Sequence, residues 1–279
     1  TISDLERNVL DSINGKAGAA DIPNIFAAYG DTAYQVDKLG YAVDLNKYFS
    51  KDELSKYVDG YLEEGHFSSK DTLKIFPVAK SVELFMLNKT DWEKFANATG
   101  ASTNDLNTIE GVTKVAEQYY NWTDSLTAAP NDGKAFFGRD AFANYMLVGY
   151  RQLATDIFSK KDNKIVLNFE ADIAKKLWDN YYVPYISGYF SSSGKFRSDD
   201  IKIGNILACV SSSSSVTYFP KEVILNDEES HSIELETFAC PKFKDGKDYV
   251  VQQGAGMVVL KSEEKEQQAA VEFLKWFTS

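Results

Sequence analysis

The stretch ACVSSSSSVTYFP, Ala208–Pro220, decides how this chain is read, because its five consecutive serines fit two opposite structures. A polar run that buries too little apolar surface to offset its ordering entropy is a spacer. The same hydroxyls and backbone N–H groups, held at the end of a buried strand, form a loop that faces a ligand. The flanks discriminate. DIKIGNILACV, Asp200–Val210, is β-branched and apolar, and SVTYFP follows at once with no Gly/Pro-rich stretch on either side. Linkers between domains lack such close apolar brackets. The run is expected to be a tight site loop after a buried strand, not a spacer.

Working outward, strand, turn and helix signals alternate. TISDLERNVLDSIN spaces Leu5, Val9, Leu10 and Ile13 for an amphipathic helix. A short apolar run, Ile25–Ala28, then meets Tyr29-Gly30-Asp31 and a helical pattern through Ala33, Val36 and Leu39, the start of an α/β unit. Ligands of such units bind beyond the strand ends, beside helix N-termini, where Tyr29 and Asp31 fall. Two strand segments are expected at Lys74–Phe76 and Glu83–Leu87, joined by Pro77 to Ser81. A helix is expected after Ser102, whose STND pattern reads as a capping box, with Leu106, Ile109, Val112, Ala116 and Tyr119 inward. Two more follow in DAFANYMLVGYRQLATDIF, loosened near Gly149, and EADIAKKLWDNYYVPYI. The last strand, Gly256–Leu260, leads to a helix from about Ser262 with Ala269, Ala270, Phe273, Leu274 and Phe277 as its buried stripe. The chain opens within a helix and closes on one without a terminating Gly or Pro, so it is expected to be a piece of a longer protein.

Bulk properties narrow the classes. At 279 residues the chain has room for two lobes, and 44% hydrophobic with 25% charged residues is an ordinary globular composition. A net charge of −11 argues against nucleic acid or an anionic membrane as the main partner. No apolar run reaches the length of a bilayer span and no leader is visible. Cys209 and Cys240 sit in apolar contexts and read as buried thiols, with a disulfide left open. His66 and His231 lack metal-ligand spacing, so neither metal nor cofactor is expected. The sequons at Asn88, Asn97 and Asn121 are short enough to arise by chance. Sixteen Tyr, eighteen Phe and four Trp exceed what a core needs, and leave rings to line a cleft.

Four segments, in order, resemble family 1 extracellular solute-binding proteins: DIPNIFAAYGDTAYQVDKLGYAVDLNKYF, IFPVAKSVELFMLNKTDWEKF, IKIGNILACVSSSSS and GAGMVVLKSEEKEQQAAVEFLKWFTS. The resemblance implies an α/β, two-lobe, periplasmic-binding-protein-like fold of class II type. Each lobe would be a mixed sheet flanked by helices, with the ligand cleft between lobes. Its first lobe would comprise residues 1–86 and 245–279, its second 87–244. The family's first strand, and the helices that return to the second lobe, are not matched here. What it implies for function is capture of a small solute, a sugar or oligosaccharide first, and delivery to an ABC import permease by lobe closure. The protein would be a bacterial monomer, extracellular, tethered as a lipoprotein or periplasmic, with any anchor outside this chain.

Candidate ligand residues follow from the motifs, each against a plain structural role. Tyr29 and Asp31 border the first lobe; Asp31 could take paired sugar hydroxyls or simply cap a helix. Ser81 and Glu83 match a family contact position, or are outward residues of a strand. Arg139 and Asp140 in AFFGRDAFANY would either pair on the surface or let Arg139 grip an anion through its planar fork. Ser212, Ser213 and Ser214 match the family's small-residue loop, and Tyr218 would stack on a sugar face or join the core. Gln253 and Gly254 match the second crossover, where Gly254 lets backbone approach ligand or serves a bend. Forty-one carboxylates would allow a glycoside-active or other carbohydrate enzyme, yet no nucleophile elbow, P-loop or GxGxxG is present. The favoured reading is a non-catalytic binder; a carbohydrate enzyme, or a binder of glycerol phosphate or another anion, is the alternative.

Overall fold

A computed structural model of the protein describes residues 2–162 and 164–279. The chain divides into two units, one of residues up to Lys80 and from Gln252 onward, the other Ser81–Val251. The sequence reading places these divisions at 86/87 and 244/245. The strand at Glu83–Asn88 belongs wholly to the second unit because both its edges are hydrogen-bonded there.

The first unit opens with helix α1 (Ile2–Ile13), strand β1 (Ile25–Ala28) and helix α2 (Gly30–Lys38). Short helices α3 (Lys51–Leu54) and α4 (Asp59–Leu62) follow, then strand β2 (Phe76–Pro77), shorter and later than the expected Lys74–Phe76. β1 alternates, burying Phe26 and Ala28 under Val36 of α2 and Val9 of α1. Ser50 and Glu53 form a reciprocal capping box at α3.

The second unit begins with β3 (Glu83–Asn88), α5 (Lys89–Thr99) and α6 (Ile109–Asp124). α6 starts later than the STND pattern suggests. Ser102 accepts from Asn104 N at 3.2 Å and starts only a 3-10 turn, Thr103–Asn107, while Thr108 caps the helix by accepting from Gly111 N at 3.1 Å. A Cβ on Gly111 would lie 1.9 Å from the Asp105 carbonyl, so the turn folds back against the helix and interrupts it. Next come β4 (Phe137–Arg139), α7 (Phe142–Gln152), the hairpin β5 (Phe158–Lys161) and β6 (Lys164–Leu167), α8 (Ala171–Asp179) and α9 (Tyr182–Ile186). α7 runs unbroken through Gly149. A Cβ there would sit 3.0 Å from the Phe243 ring and 3.1 Å from Leu177, so the glycine admits close packing rather than loosening the helix.

The unit ends with α10 (Arg197–Lys202), β7 (Ala208–Ser212), β8 (Glu222–Ile224), β9 (Ser230–Ser232) and β10 (Leu235–Ala239). Asp200–Lys202, expected within a strand, is helical. The main sheet has order β10-β3-β7-β4, with antiparallel pairs except the parallel β4–β7. Helices α5 and α6 bury Trp92, Phe95, Val112 and Tyr119 against Phe85, Leu87 and Val210 of that sheet.

The chain returns to the first unit as β11 (Gly256–Val259) and α11 (Glu264–Phe277). β11 is the central strand of the order β1-β11-β2, antiparallel to both neighbours. α11 buries Ala270, Val271 and Leu274 against Val259 and Phe76. Of the expected stripe, Ala270 and Leu274 are buried, while Phe273 and Phe277 are 43% and 49% exposed, Ala269 is also outside, and Val271 is buried in addition. The inward face is completed by polar side chains that reach across: Lys275 to Glu53 and Thr278 to Tyr57.

Candidate functional site

The serine run is ordered. Ser211 and Ser212 end β7, and Ser213–Tyr218 form one 3-10 segment. Ser212 caps that segment by accepting from Ser214 N, and its hydroxyl lies 2.9 Å from the Ser214 hydroxyl and 3.1 Å from Ser81 Oγ. Ser213 N donates to the Val82 carbonyl at 2.7 Å, and its hydroxyl accepts from Val82 N at 3.3 Å. Because β3 and β7 pair antiparallel with Glu83 opposite Ser212, the start of one strand and the end of the other share a corner. Ser81, Ser212, Ser213 and Ser214 meet there.

Asp140 joins them through the parallel pairing of β4 with β7, which brings both carboxyl ends to one edge. Its N–H donates to the Val210 carbonyl at 3.1 Å, and one carboxylate oxygen accepts from Arg197 N at 2.8 Å. The other accepts from the buried Ser211 hydroxyl, itself 2.8 Å from Ser215 Oγ. A pocket of about 730 Å³ opens beside this edge, lined by Asp140, Phe196, Lys202, Ser214, Ser215 and Tyr218 among others. Tyr218 is 77% exposed and Phe196 53%, so two rings are presented beside hydroxyls and a carboxylate, the Phe196 ring with the Lys195 ammonium 5.4 Å from its centroid. Tyr218 is not a core residue.

Glu83 and Arg139 are placed differently. Both are buried, Arg139 Nη2 donates to Glu83 at 3.0 Å, and Asn144 of α7 donates to the other carboxylate oxygen at 3.0 Å. The guanidinium lies 5.3 Å from the Tyr145 ring centroid and 3.5 Å from Cys240 Sγ. Neither a surface pair with Asp140 nor a free fork toward an anion is present: Arg139 is paired within the core through Nη2, while its buried Nε has no hydrogen-bond partner. Asp140 lies instead beside Arg197, with Nε at 3.7 Å. Burial pushes both cysteine thiols and the Tyr145 hydroxyl upward from their ordinary pKa ranges. Cys209 and Cys240 are free thiols.

Phe196, Arg197, Asp200, Lys202, Ser211, Ser215 and Lys221 are the residues sequence reasoning misses. Arg197 and Asp200 form a buried ion pair; Asp200 also accepts from Gly194 N at 2.8 Å and Ser193 N at 3.2 Å, while Arg197 donates to the Gly194 carbonyl. Together they hold the loop that presents Phe196 to the pocket. In sequence, GKFRSDD is indistinguishable from a charged surface run. Membership of the serine run was the one available signal for Ser211 and Ser215.

The remaining candidates lie in the first unit. Tyr29 is the N-cap of α2, 45% exposed, with its N–H donating to Glu6 at 3.0 Å. Asp31 is exposed in the first helical turn and makes no cap, although its charge suits the helix N-terminus. Gly254 has φ +120°, and a Cβ on it would lie 2.5 Å from the Ala79 carbonyl. The side-chain oxygen of the neighbouring Gln253 is buried without a protein partner.

A larger groove in the second unit, about 820 Å³, is lined by Phe142, Met146, Phe169, Trp178, Tyr182 and Tyr185 among others. Its lining is almost wholly apolar. A small polar solute needs convergent hydrogen-bonding groups as well as rings, which the serine-loop pocket has and this groove lacks. Among the described residues no three His, Cys, Asp or Glu side chains cluster as metal ligands, and no helix is long and apolar enough to cross a membrane.

The arrangement is one of recognition groups around a pocket, and comparison with known proteins gives it a class. The family model for bacterial extracellular solute-binding protein matches residues 3–279, and the chain belongs to that family. Its fold is the periplasmic-binding-protein-like one, as solved structures show. UgpB from Mycobacterium tuberculosis in complex with glycerophosphocholine is 14% identical, with a TM-score of 0.71 over 96% of this chain and 65% of that one. The cyclic α-maltosyl-1,6-maltose binding protein from Arthrobacter globiformis is 18% identical, with a TM-score of 0.72 over 100% and 65%. The galacto-N-biose-/lacto-N-biose I-binding protein of the ABC transporter from Bifidobacterium longum, in complex with lacto-N-biose, gives 16% and 0.71 over 100% and 64%. The chain therefore spans about two-thirds of the length of each, just under it. No curated protein matches the sequence.

Proposed function

We propose that the protein captures a small sugar or oligosaccharide outside the bacterial cell and delivers it to an ABC import permease, without altering it. The observation that carries the sugar reading is the pocket beside the serine loop. Two exposed rings, Phe196 and Tyr218, accompany the hydroxyls of Ser214 and Ser215 and the Asp140 carboxylate. Rings remove the apolar C–H face of a sugar from water, and hydroxyls and a carboxylate take its OH groups. Family membership supports solute binding as such, and two of the similar structures are named for oligosaccharides. Ser81, Ser212 and Ser213 extend the same edge. Tyr29, Asp31, Gln253 and Gly254 remain candidate contacts of the first unit, acting as the protein closes on its solute. In this reading the protein acts as a monomer, either tethered at the cell surface as a lipoprotein or periplasmic.

A second reading, an anionic or zwitterionic solute such as a glycerol phosphodiester, rests on Lys202 and Lys221 in the same pocket rather than on Arg139. A thermal-shift and calorimetric panel of lacto-N-biose, malto-oligosaccharides and glycerophosphocholine separates the two. A ligand at ~100 times its Kd adds about 2.7 kcal/mol of stability. Binding of a sugar, recovered chemically unchanged and weakened at least tenfold by Tyr218→Ala without loss of Tm, is the expected result. Binding of glycerophosphocholine alone would select the second reading. Sugar binding untouched by Tyr218→Ala would sink the site, and a converted sugar would sink the non-catalytic role.

A further inference from the structure

Lys80 is a buried cation outside the set of candidate ligand residues. Its side chain is 2% exposed, and it is the residue after which the chain leaves the first unit, to return at Gln252. Its ammonium reaches two partners on different stretches of chain. One is the Glu64 carboxylate, with which it forms an ion pair; the other is the carbonyl of Gly254, at 3.1 Å, two residues past the point of return.

The outgoing and returning segments also touch through backbone. Gly254, at φ +120°, adopts a conformation that side chains disfavour, and approaches so closely that a Cβ would lie 2.5 Å from the Ala79 carbonyl. Gln252 adds a contact, donating to the Gly60 carbonyl at 3.4 Å. Glu64 is itself fixed. Its neighbour Gly65 is wedged where a Cβ would meet the Ile75 carbonyl at 2.3 Å, and the Gly65 carbonyl accepts from Lys74 N at 2.8 Å. An apolar side chain of the same length would fill this space with a smaller desolvation cost, since burying an ammonium is expensive even when it is paired. What it would not do is join Glu64 and Gly254 at once.

We propose that Lys80 is a clasp on the first unit's side of the two crossovers, holding the outgoing segment 78–80 and the returning segment 252–255 as one and limiting the backbone freedom of both. Glu64 is its anchor on the body of the first unit, and Gly254 is glycine so that the two backbones come within reach of one ammonium. The observations behind this reading do not involve the serine-loop pocket, so it stands or falls separately from the sugar site there.

Hydrogen exchange followed by mass spectrometry on the whole chain tests it, comparing wild type with Lys80→Met, Lys80→Arg and Glu64→Gln. The clasp requires amides of both segments to exchange at least tenfold faster in Lys80→Met, with those of β3 and β7 unchanged. Lys80→Arg, which keeps a cation in reach, should restore most of the protection. Glu64→Gln, at a 32% exposed carboxylate, should reproduce the faster exchange in milder form, and serves if Lys80→Met does not fold. Unchanged exchange in both segments would overturn the proposal. So would acceleration spread evenly through the core strands, which is general destabilisation, or acceleration of only one segment.

Discussion

Glu83 and Arg139 leave water together, and each is buried only because the other is. With Nη2 3.0 Å from the carboxylate, Asn144 on its second oxygen and the Tyr145 ring beside the guanidinium, the pair is specified from three elements. Removing one partner leaves an uncompensated buried charge, which costs ~3–5 kcal/mol. Arg139→Met is therefore expected to lower stability by about that amount in urea titration, and Glu83→Leu/Arg139→Met to recover part of it. Additive losses would mean the two charges are not coupled. The sequence shows Glu83 alternating with Val82 and Leu84, and period two says which residues share a face. It does not say whether that face is covered. Fifty-six residues separate the partners, and no local pattern links them.

At the scale of elements, α3 and α11 are joined by a second pair that behaves differently because it is exposed. The Lys275 ammonium, together with the N–H and hydroxyl of Ser50, holds the Glu53 carboxyl down to about 2, against an ordinary 4.5. A depressed carboxyl contributes stability that is present above the unfolded value and lost as pH falls through the folded one. The wild-type melting temperature should thus carry a component that disappears between about pH 4.5 and 2, and Glu53→Gln should flatten that part of the curve. An identical acid slope in the variant would discount the contact. Lys275 is raised by the same partner, so its share persists at neutral pH and is lost only as pH rises above 10.5. Helices α1, α2 and α11 were legible because their periodicity is local. Ala270 and Leu274 of α11 were legible too, but the rest of its buried face was not, since Phe273 and Phe277 look as apolar as Val271. Only the strands beneath, with Lys275 and Thr278 reaching inward, choose between them.

At the scale of the molecule, the two units differ in how the chain builds them. Residues 81–251 are contiguous and contain three apolar clusters of their own. Expressed alone, this segment is expected to unfold cooperatively in urea with dispersed amide resonances. Residues 1–80 alone are expected to stay unfolded, because the central strand of their sheet, β11, comes from residues 256–259. A cooperative transition from the 1–80 fragment, or none from 81–251, would contradict these cores as drawn.

The same contrast separates what the sequence by itself determined from what the tertiary structure decided. Strand, glycine turn and helix at Ile25–Lys38, the ordered serine run after β7 and the resemblance carried by four motifs all rest on short-range preferences, which a window of residues contains. That strands near 76 and 83 belong to different sheets, that Arg139 turns to Glu83, and that Arg197 meets Asp140 at the pocket edge rest on partners brought together only by the fold. A charge is an exposed ligand contact or a buried structural group according to whether distant chain covers it, because desolvation depends on everything nearby in space, most of which is far away in sequence.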